Sequence, residues 1–379
     1  MSSRELPEAT WDDLYREVIE PGYCYACGGC SSICPVYVIE FQDGSHPNLS
    51  GVWPTLVGEC IDCGACLQAC PCYWDRVHGE NGDKECIGNF HETADKKPTI
   101  YLAYAADEKV RKVGQSGGVV SAILIAAQQV NLIDAGMVLV EKEGRTKLAS
   151  VAATGPHEFI RGAGSKFTSY PGVEGILQMR SVWDESGSSV FVGVPCMIKS
   201  MNMMQLVRTD RLDRTCTTIG LLCTTIFHPD KLQAFLLDHG IDFDTQVAQI
   251  AIRSGVLRLK MKDGSSKEMP IHDADDAAAR EGCKHCLDFT AETADLAVGE
   301  VGVPDGTSFV FVRTQRGRDL LEIAIQQKAL VLKEFPEEAM KAILRVNRYK
   351  KKRKAPPPLK PFPGPLWRPL RKELQSSEN

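Results

Sequence analysis

The chain has 379 residues, 43% of them hydrophobic and 25% charged, with a net charge of −5. That length suits two or three domains of ordinary globular composition. The acidic balance argues against a nucleic-acid partner, and no stretch approaches the ~18 uninterrupted apolar residues of a membrane helix, so direct membrane insertion is not expected. The N-terminal MSSRELPEATWDDLYREV carries acids and no apolar core, unlike a secretory signal. Fifteen cysteines, an odd number, mostly in metal-type spacing, point to a reducing, cytoplasmic compartment rather than a disulfide scaffold.

In chain order, Thr10 is placed to cap a short helix over about 11–20, which Pro21-Gly22 ends. Two C-x2-C-x2-C-x3-C-P runs follow, at Cys24, Cys27, Cys30, Cys34 and Pro35, then at Cys60, Cys63, Cys66, Cys70 and Pro71. This is the spacing of bacterial two-cluster ferredoxins, in which three cysteines of a run and the fourth of the other run hold one [4Fe–4S] cube. Cys24, Cys27, Cys30 and Cys70 are therefore assigned to one cluster, and Cys60, Cys63, Cys66 and Cys34 to the other. A zinc ribbon needs paired cysteines, not triplets closed by C-P. The segment between the runs reads as a hairpin or loop. Cys72 and Cys86 match no ligand spacing, and Cys72 reads as a buried thiol in preference to an alternative ligand. Residues 75–98, polar and ending in Pro98, read as a linker.

From residue 99 the pattern turns α/β. Strands are expected at Thr99–Ala105 and Ala135–Glu141, at 189–194, 217–222 and 309–313, with a hairpin over 247–270 that turns at Asp263-Gly264. Helices are expected at 118–130, 173–185, 228–239, 273–280, 317–328 and 337–348. Gln115-Ser116-Gly117-Gly118 is a small-residue turn feeding an apolar helix. Such a helix start presents free N–H groups, and its glycines let a ligand approach, although a plain tight turn reads the same way. Gly162–Phe167 is a second small-residue loop with one cation, Lys166, and fits neither a P-loop nor a Rossmann fingerprint.

Cys196 and Cys223 each follow a strand, the usual place for sites in open α/β sheets, and Cys283 and Cys286 form a C-x2-C turn. Four thiolates converging there suit a third [4Fe–4S] cluster; tetrahedral zinc and unligated buried thiols fit the spacing as well. Cys216 reads as core. The tail, 349–379, is basic and Pro-rich, carries Trp367 and Leu370 among cations, and reads equally as a docking or a disordered segment.

The ordered set Q-S-G-G-V-V-S-A, G-S-K-F, V-G-V-P-C, G-L-L-C, C-K-H-C-L-D and A-D-L-A-V-G-E-V-G resembles the family of coenzyme F-420 hydrogenase/dehydrogenase beta subunits over about residues 99–330. With the cysteine runs, the resemblance covers nearly the whole chain apart from the tail. It implies an iron–sulfur flavoprotein that binds FAD, with a third cluster on Cys196, Cys223, Cys283 and Cys286. Gln115, Ser116, Gly117, Gly118, Ser165, Lys166 and Phe167 would contact the flavin, with Pro195 and Cys196 beside it. Lys166 is the catalytic candidate, stabilising charge on the reduced ring. The family commonly has Tyr where Phe167 stands and Gln where Met197 stands. The fold class expected is α+β / α/β: a ferredoxin-type module at 1–98, an α/β flavin-binding domain at 99–348 and the tail at 349–379. The function implied is hydride exchange with the reduced deazaflavin at FAD and release of single electrons through the clusters. The partner implied is a larger hydrogenase, dehydrogenase or membrane quinone or phenazine reductase complex, reached in the cytoplasm or at a membrane through that complex. A stand-alone ferredoxin-dependent reductase, related to those acting on chlorophyll vinyl or hydroxymethyl groups, is the alternative. An electron-transfer adaptor without flavin is a third reading.

Overall fold

The computed structural model describes residues 10–43, 51–86, 99–179, 188–207 and 216–360. The N-terminal part begins with a helical turn at Trp11–Leu14, closed by a reciprocal Thr10–Asp13 capping box, and a π-helical turn at Tyr15–Ile19. The two cysteine runs flank an antiparallel ribbon of β1 (Ile39–Asp43) and β2 (Val52–Leu56). Where a linker is expected, the chain instead forms a helix, Pro71–Cys86, kinked at Gly79 with φ 64°. Its charged sequence hides the helical period. The rest of that expected linker, 87–98, lies outside the described residues.

The larger part is built on strands β3 (Thr99–Ala105), β4 (Ala135–Glu141), β5 (Leu148–Ala153), β6 (Ser189–Gly193), β7 (Cys216–Leu221), β8 (Val247–Arg253), β9 (Val256–Met261), β10 (Ser266–Pro270), β11 (Leu296–Gly299), β12 (Ser308–Val312) and β13 (Leu330–Lys333). Eight of them form one mixed sheet in the order β13-β3-β12-β11-β7-β6-β4-β5. The middle four, β11, β7, β6 and β4, are parallel, and the flanking pairs are antiparallel. β6 and β7 are short and largely buried, as central parallel strands require. Both end at one edge of the sheet, so the residues after them share that edge.

Helices 119–129 and 315–326 cover one face of the sheet. Helix Pro195–Val207 covers the other, and the ferredoxin-type part packs on it. Ile33, Ala65 and Ala69 lie in one hydrophobic cluster with Met137, Phe191, Met201 and Phe309. The N-terminal part therefore shares a core with the sheet and is not a bead on a tether. Gly29 makes the close approach possible, since a Cβ there would stand 1.8 Å from Ser200 Oγ.

Three further expectations are corrected. The expected 247–270 hairpin is a three-stranded meander, β10-β9-β8, because Ser254-Gly255 makes a second tight turn with φ of 50° and 80°. The expected helix 173–185 is a 3-10 turn at Gly172–Gly175 followed by Ile176–Met179, and 180–187 lies outside the described residues. The tail does not begin at 349: the last helix is Glu337–Lys351, and the chain stays packed on the body to about Leu359. Trp367 and Leu370 lie outside the described residues.

Candidate electron-transfer site

The two cysteine runs fold alike. Gly28 (φ 94°) and Gly64 (φ 66°) each open a short helix, 29–33 and 65–68, that carries Cys30 and Cys66. Ala26 and Asp62 take matching left-handed conformations, φ 54° and 52°. Their backbone N–H groups point at Cys24 Sγ and Cys60 Sγ, at 3.3 and 3.4 Å. The fourth cysteine of each run crosses to the other. Cys24, Cys27, Cys30 and Cys70 line one apolar cavity, walled by Leu14, Val18, Ile19 and Phe41. Cys66 has Cys63, Cys60 and Cys34 as its neighbouring thiols.

Burial pushes the Cys27 thiol up to about 11, with Cys24 beside it adding to the effect. Cys30, Cys66 and Cys70 are raised by burial first and then by surrounding thiols. Such buried sets cannot ionise together unless something positive lies between them. Iron supplies that charge, so the donor chemistry fits a cluster. Cys72 is fully buried against Cys70, Cys24 and the Tyr25 hydroxyl. Cys216 is also fully buried, in the main core.

A second set gathers at the end of the parallel strands. Cys196 stands in the first turn of helix 195–207, after β6, and Cys223 follows β7. Cys283 lies in a 3-10 turn, Glu281–Lys284, and Cys286 just past it. Cys196 is raised by burial and then by Cys27, Cys286, Cys283 and Cys223. Burial brings Cys223 to about 12, against an opposing pull from Lys350. Among the described residues, no three His, Cys, Asp or Glu side chains stand close enough to share one metal ion.

Residues beyond the cysteine spacing complete this end. Lys350 is 2% exposed and donates from Nζ to the Cys223 carbonyl at 2.5 Å. Arg353 donates to the Thr224 and Cys283 carbonyls at 2.8 and 2.5 Å. Arg280, fully buried, donates to the Cys24 and Val52 carbonyls at 3.2 and 2.9 Å and lies over Trp53 at 4.1 Å. The KKRK run, which reads only as a basic tail, is the one sequence signal that Arg353 offers.

The two loops singled out for a flavin meet. Ser165 N donates to Gln115 Oε1 at 3.1 Å, and the Gln115 side chain donates to the Ile250 carbonyl at 2.9 Å. Ser116 Oγ donates to the Thr307 carbonyl at 2.6 Å, and Gly117 N to Ser308 Oγ at 3.2 Å. Gly118 takes φ 68° and caps helix 119–129. A Cβ on Gly117 would stand 2.9 Å from the Ala103 carbonyl and the Ser308 nitrogen, so packing against β3 and β12 already requires glycine there. Lys166 Nζ donates to the Ala163 carbonyl at 2.8 Å and lies 3.7 Å from Glu141. Burial lowers its pKa, Glu141 opposes that and Arg145 adds to it. Phe167, at φ 63°, accepts a backbone bond from Phe227, four residues past Cys223. Pro195 is buried at the start of the Cys196 helix. The loops thus join the same edge as the cysteine set and are half-buried, with Arg145 Nε buried and unpartnered nearby. That is a fitting environment for a polar, ring-bearing cofactor.

Residues 100–177 match the N-terminal domain described for the coenzyme F420 hydrogenase/dehydrogenase beta subunit, and 187–338 match its C terminus. Residues 23–74 match a 4Fe-4S dicluster domain. The chain belongs to the family of coenzyme F420 hydrogenase/dehydrogenase beta subunits. This family member is 26% identical over 340 residues to a subunit of the F(420)H(2) dehydrogenase of Methanosarcina mazei, covering 89% of this chain and 91% of that one. It is 27% identical over 351 residues to the coenzyme F420-dependent sulfite reductase of Methanocaldococcus jannaschii, covering 89% of this chain but 51% of that longer protein. Its fold is that of a chain in the F420-reducing [NiFe] hydrogenase complex from Methanosarcina barkeri, with a TM-score of 0.64 at 23% identity over 69% of this chain and 90% of that one. This member thus carries the family's two domains behind an iron–sulfur module. Among its described residues, no helix is long and apolar enough to cross a membrane.

Proposed function

We propose that this iron–sulfur oxidoreductase takes hydride from reduced coenzyme F420 at a bound FAD and passes single electrons through three [4Fe–4S] clusters to a partner redox complex, or runs the same path in reverse. The observation that carries the reading is the order of the cysteine sets. Cys196 neighbours Cys27 across the domain boundary, and Cys30 neighbours Cys66 within the ferredoxin module. These two contacts support a path from the sheet edge outwards through the three sets. Cys24, Cys27, Cys30 and Cys70 hold the middle cluster. Cys60, Cys63, Cys66 and Cys34 hold the outer one, where Cys60 and Cys63 are only half-buried. Cys196, Cys223, Cys283 and Cys286 hold the inner one.

FAD, when bound, supplies the exchange between hydride and single-electron chemistry that neither a deazaflavin nor an iron–sulfur cluster performs alone. The chain's own part is positioning and charge. Gln115 fixes the two loops to each other, Gly118 turns the chain into its helix, and the Phe167 ring offers an apolar face. Lys166 supplies a cation whose charge is favoured when negative charge develops beside it. Apolar walls around the middle set exclude water. The relatives named for F420-linked dehydrogenase and sulfite reductase activities support the deazaflavin as donor. The terminal partner is a hydrogenase, dehydrogenase or membrane reductase complex.

The test is anaerobic turnover of the iron- and FAD-loaded chain with reduced F420 and a viologen acceptor. Sustained viologen reduction is expected. No turnover, with full iron and flavin content measured, overturns the reading.

A further inference from the structure

The family's C-terminal domain match ends at residue 338, yet the chain continues as an ordered strap to about residue 359. Its helix brings Lys350 into the inner cysteine set, where Nζ donates to the Cys223 carbonyl. Arg353 then reaches the Thr224 and Cys283 carbonyls. The Lys354 carbonyl meets His285 Nδ1 at 2.8 Å, between Cys283 and Cys286. The strap next crosses to the ferredoxin module. Arg76 Nε donates to the Pro357 carbonyl at 2.6 Å, and Leu359 N donates to the Arg76 carbonyl at 2.8 Å. Leu359 packs in the hydrophobic cluster of Cys24, Cys30 and Cys72.

Two cations thus stand against three of the four inner cysteines, and one of them is almost wholly buried. A buried ammonium is costly unless negative charge lies beside it. Asp288 lies close enough to share part of that balance, as does Cys286. A cube held by four thiolates is anionic, and reduction adds one more negative charge. A fixed cation stabilises the reduced form more than the oxidised one and raises the reduction potential.

We propose that segment 350–359 is an electrostatic strap: Lys350, assisted by Arg353, raises the reduction potential of the inner cluster, while Pro357 and Leu359 hold that cluster in register with the middle one. Both are positioning residues, not catalytic ones. The inference rests on the three-cluster reading, which is tested separately. Cys283→Ala is expected to remove about a third of the iron and leave the two ferredoxin clusters. Unchanged iron there would remove the inner cluster itself, whatever Lys350 does.

The strap is tested by redox titration of the full-length, iron-loaded protein followed by electron paramagnetic resonance. Lys350→Gln keeps a donor for the Cys223 carbonyl and loses the charge. Its inner-cluster potential is expected to fall while the two ferredoxin potentials stay. Lys350→Arg is expected to restore the wild-type value. Arg353→Gln, independent of any folding defect at 350, is expected to lower the same potential by less. Wild-type potentials for all three clusters in Lys350→Gln overturn the proposal, as does an equal shift in all three.

Discussion

Gly117 illustrates how a residue singled out for a ligand can be required by the fold. Its missing side chain leaves room for the Ala103 carbonyl and the Ser308 backbone, both 2.9 Å from where a Cβ would be. Gly117→Val must push its loop off β3 and β12 and is expected to cost about 1–3 kcal/mol, read as a lower unfolding midpoint with or without flavin. His228 is a titrating case. It is buried, its Nε2 is 2.9 Å from Glu281, and Arg280 and Lys231 stand beside it. Burial is the largest cause and, with Arg280 and Lys231, outweighs the opposing pull of Glu281, so its pKa lies below the ordinary 6.5. Hydrogen bonding to His228 is the leading cause that holds Glu281 down at about 2, against the opposing effect of burial, so Glu281 stays ionised throughout. The unfolded state therefore takes up a proton at His228 before the folded state does. Stability is full above about pH 6.5 and falls as pH drops through that value, by at most ~1.4 kcal/mol per unit. His228→Gln is expected to flatten that slope in anaerobic urea unfolding at pH 7.5, 6.5 and 5.5. At this scale the grouping of eight cysteines into two crossed sets was legible because their spacing is local. Lys350 was not, since its partner Cys223 is 127 residues away.

Elements were legible where they are long and apolar. β3 and β4 fall where their residue patterns place them, and β7 starts one residue earlier than expected. β5, LASVAA, was missed because small residues give little alternation, and β13 because four residues carry no period. The helix from Pro71 was missed because its apolar residues Tyr73 and Val77, which pack on the cluster module, are interleaved with charges that resemble a linker. No period announces the joint between module and sheet either. Arg280 makes it, with two backbone carbonyls and the Trp53 ring as partners. Gly282 passes beside it, where a Cβ would meet the Cys24 carbonyl at 2.4 Å. Arg280→Ala strands the buried Cys24 carbonyl and the half-buried Val52 carbonyl and opens a space under Trp53. It is expected to cost about 3 kcal/mol and to speed iron loss from the Cys24 set more than from the Cys60 set. Thermal unfolding and timed chelator assays read the two effects.

For the whole molecule, the shared core has a consequence that two tethered domains would not have. If the ferredoxin module were a bead, its distance to the sheet edge would vary and transfer between Cys27 and Cys196 would be intermittent. Instead helix 195–207 lies between sheet and module, with Ser200 Oγ donating to the Ala69 carbonyl at 2.9 Å and Lys199 paired with Asp75. The strap closes the same joint from the other end of the chain, through Pro357 and Leu359. Ending the protein at residue 348, where the composition changes, would cut away Lys350, Arg353 and Leu359 together. The truncated chain is expected to unfold at lower temperature and to release iron from the inner set first. Ending it at residue 360 keeps every one of these contacts and is expected to leave both properties unchanged. Iron content, the cluster potentials and the unfolding midpoint of the two truncations, measured side by side, separate a strap that belongs to the fold from a basic tail that serves only a partner. Equal behaviour of the two would place the functional boundary at 348 after all.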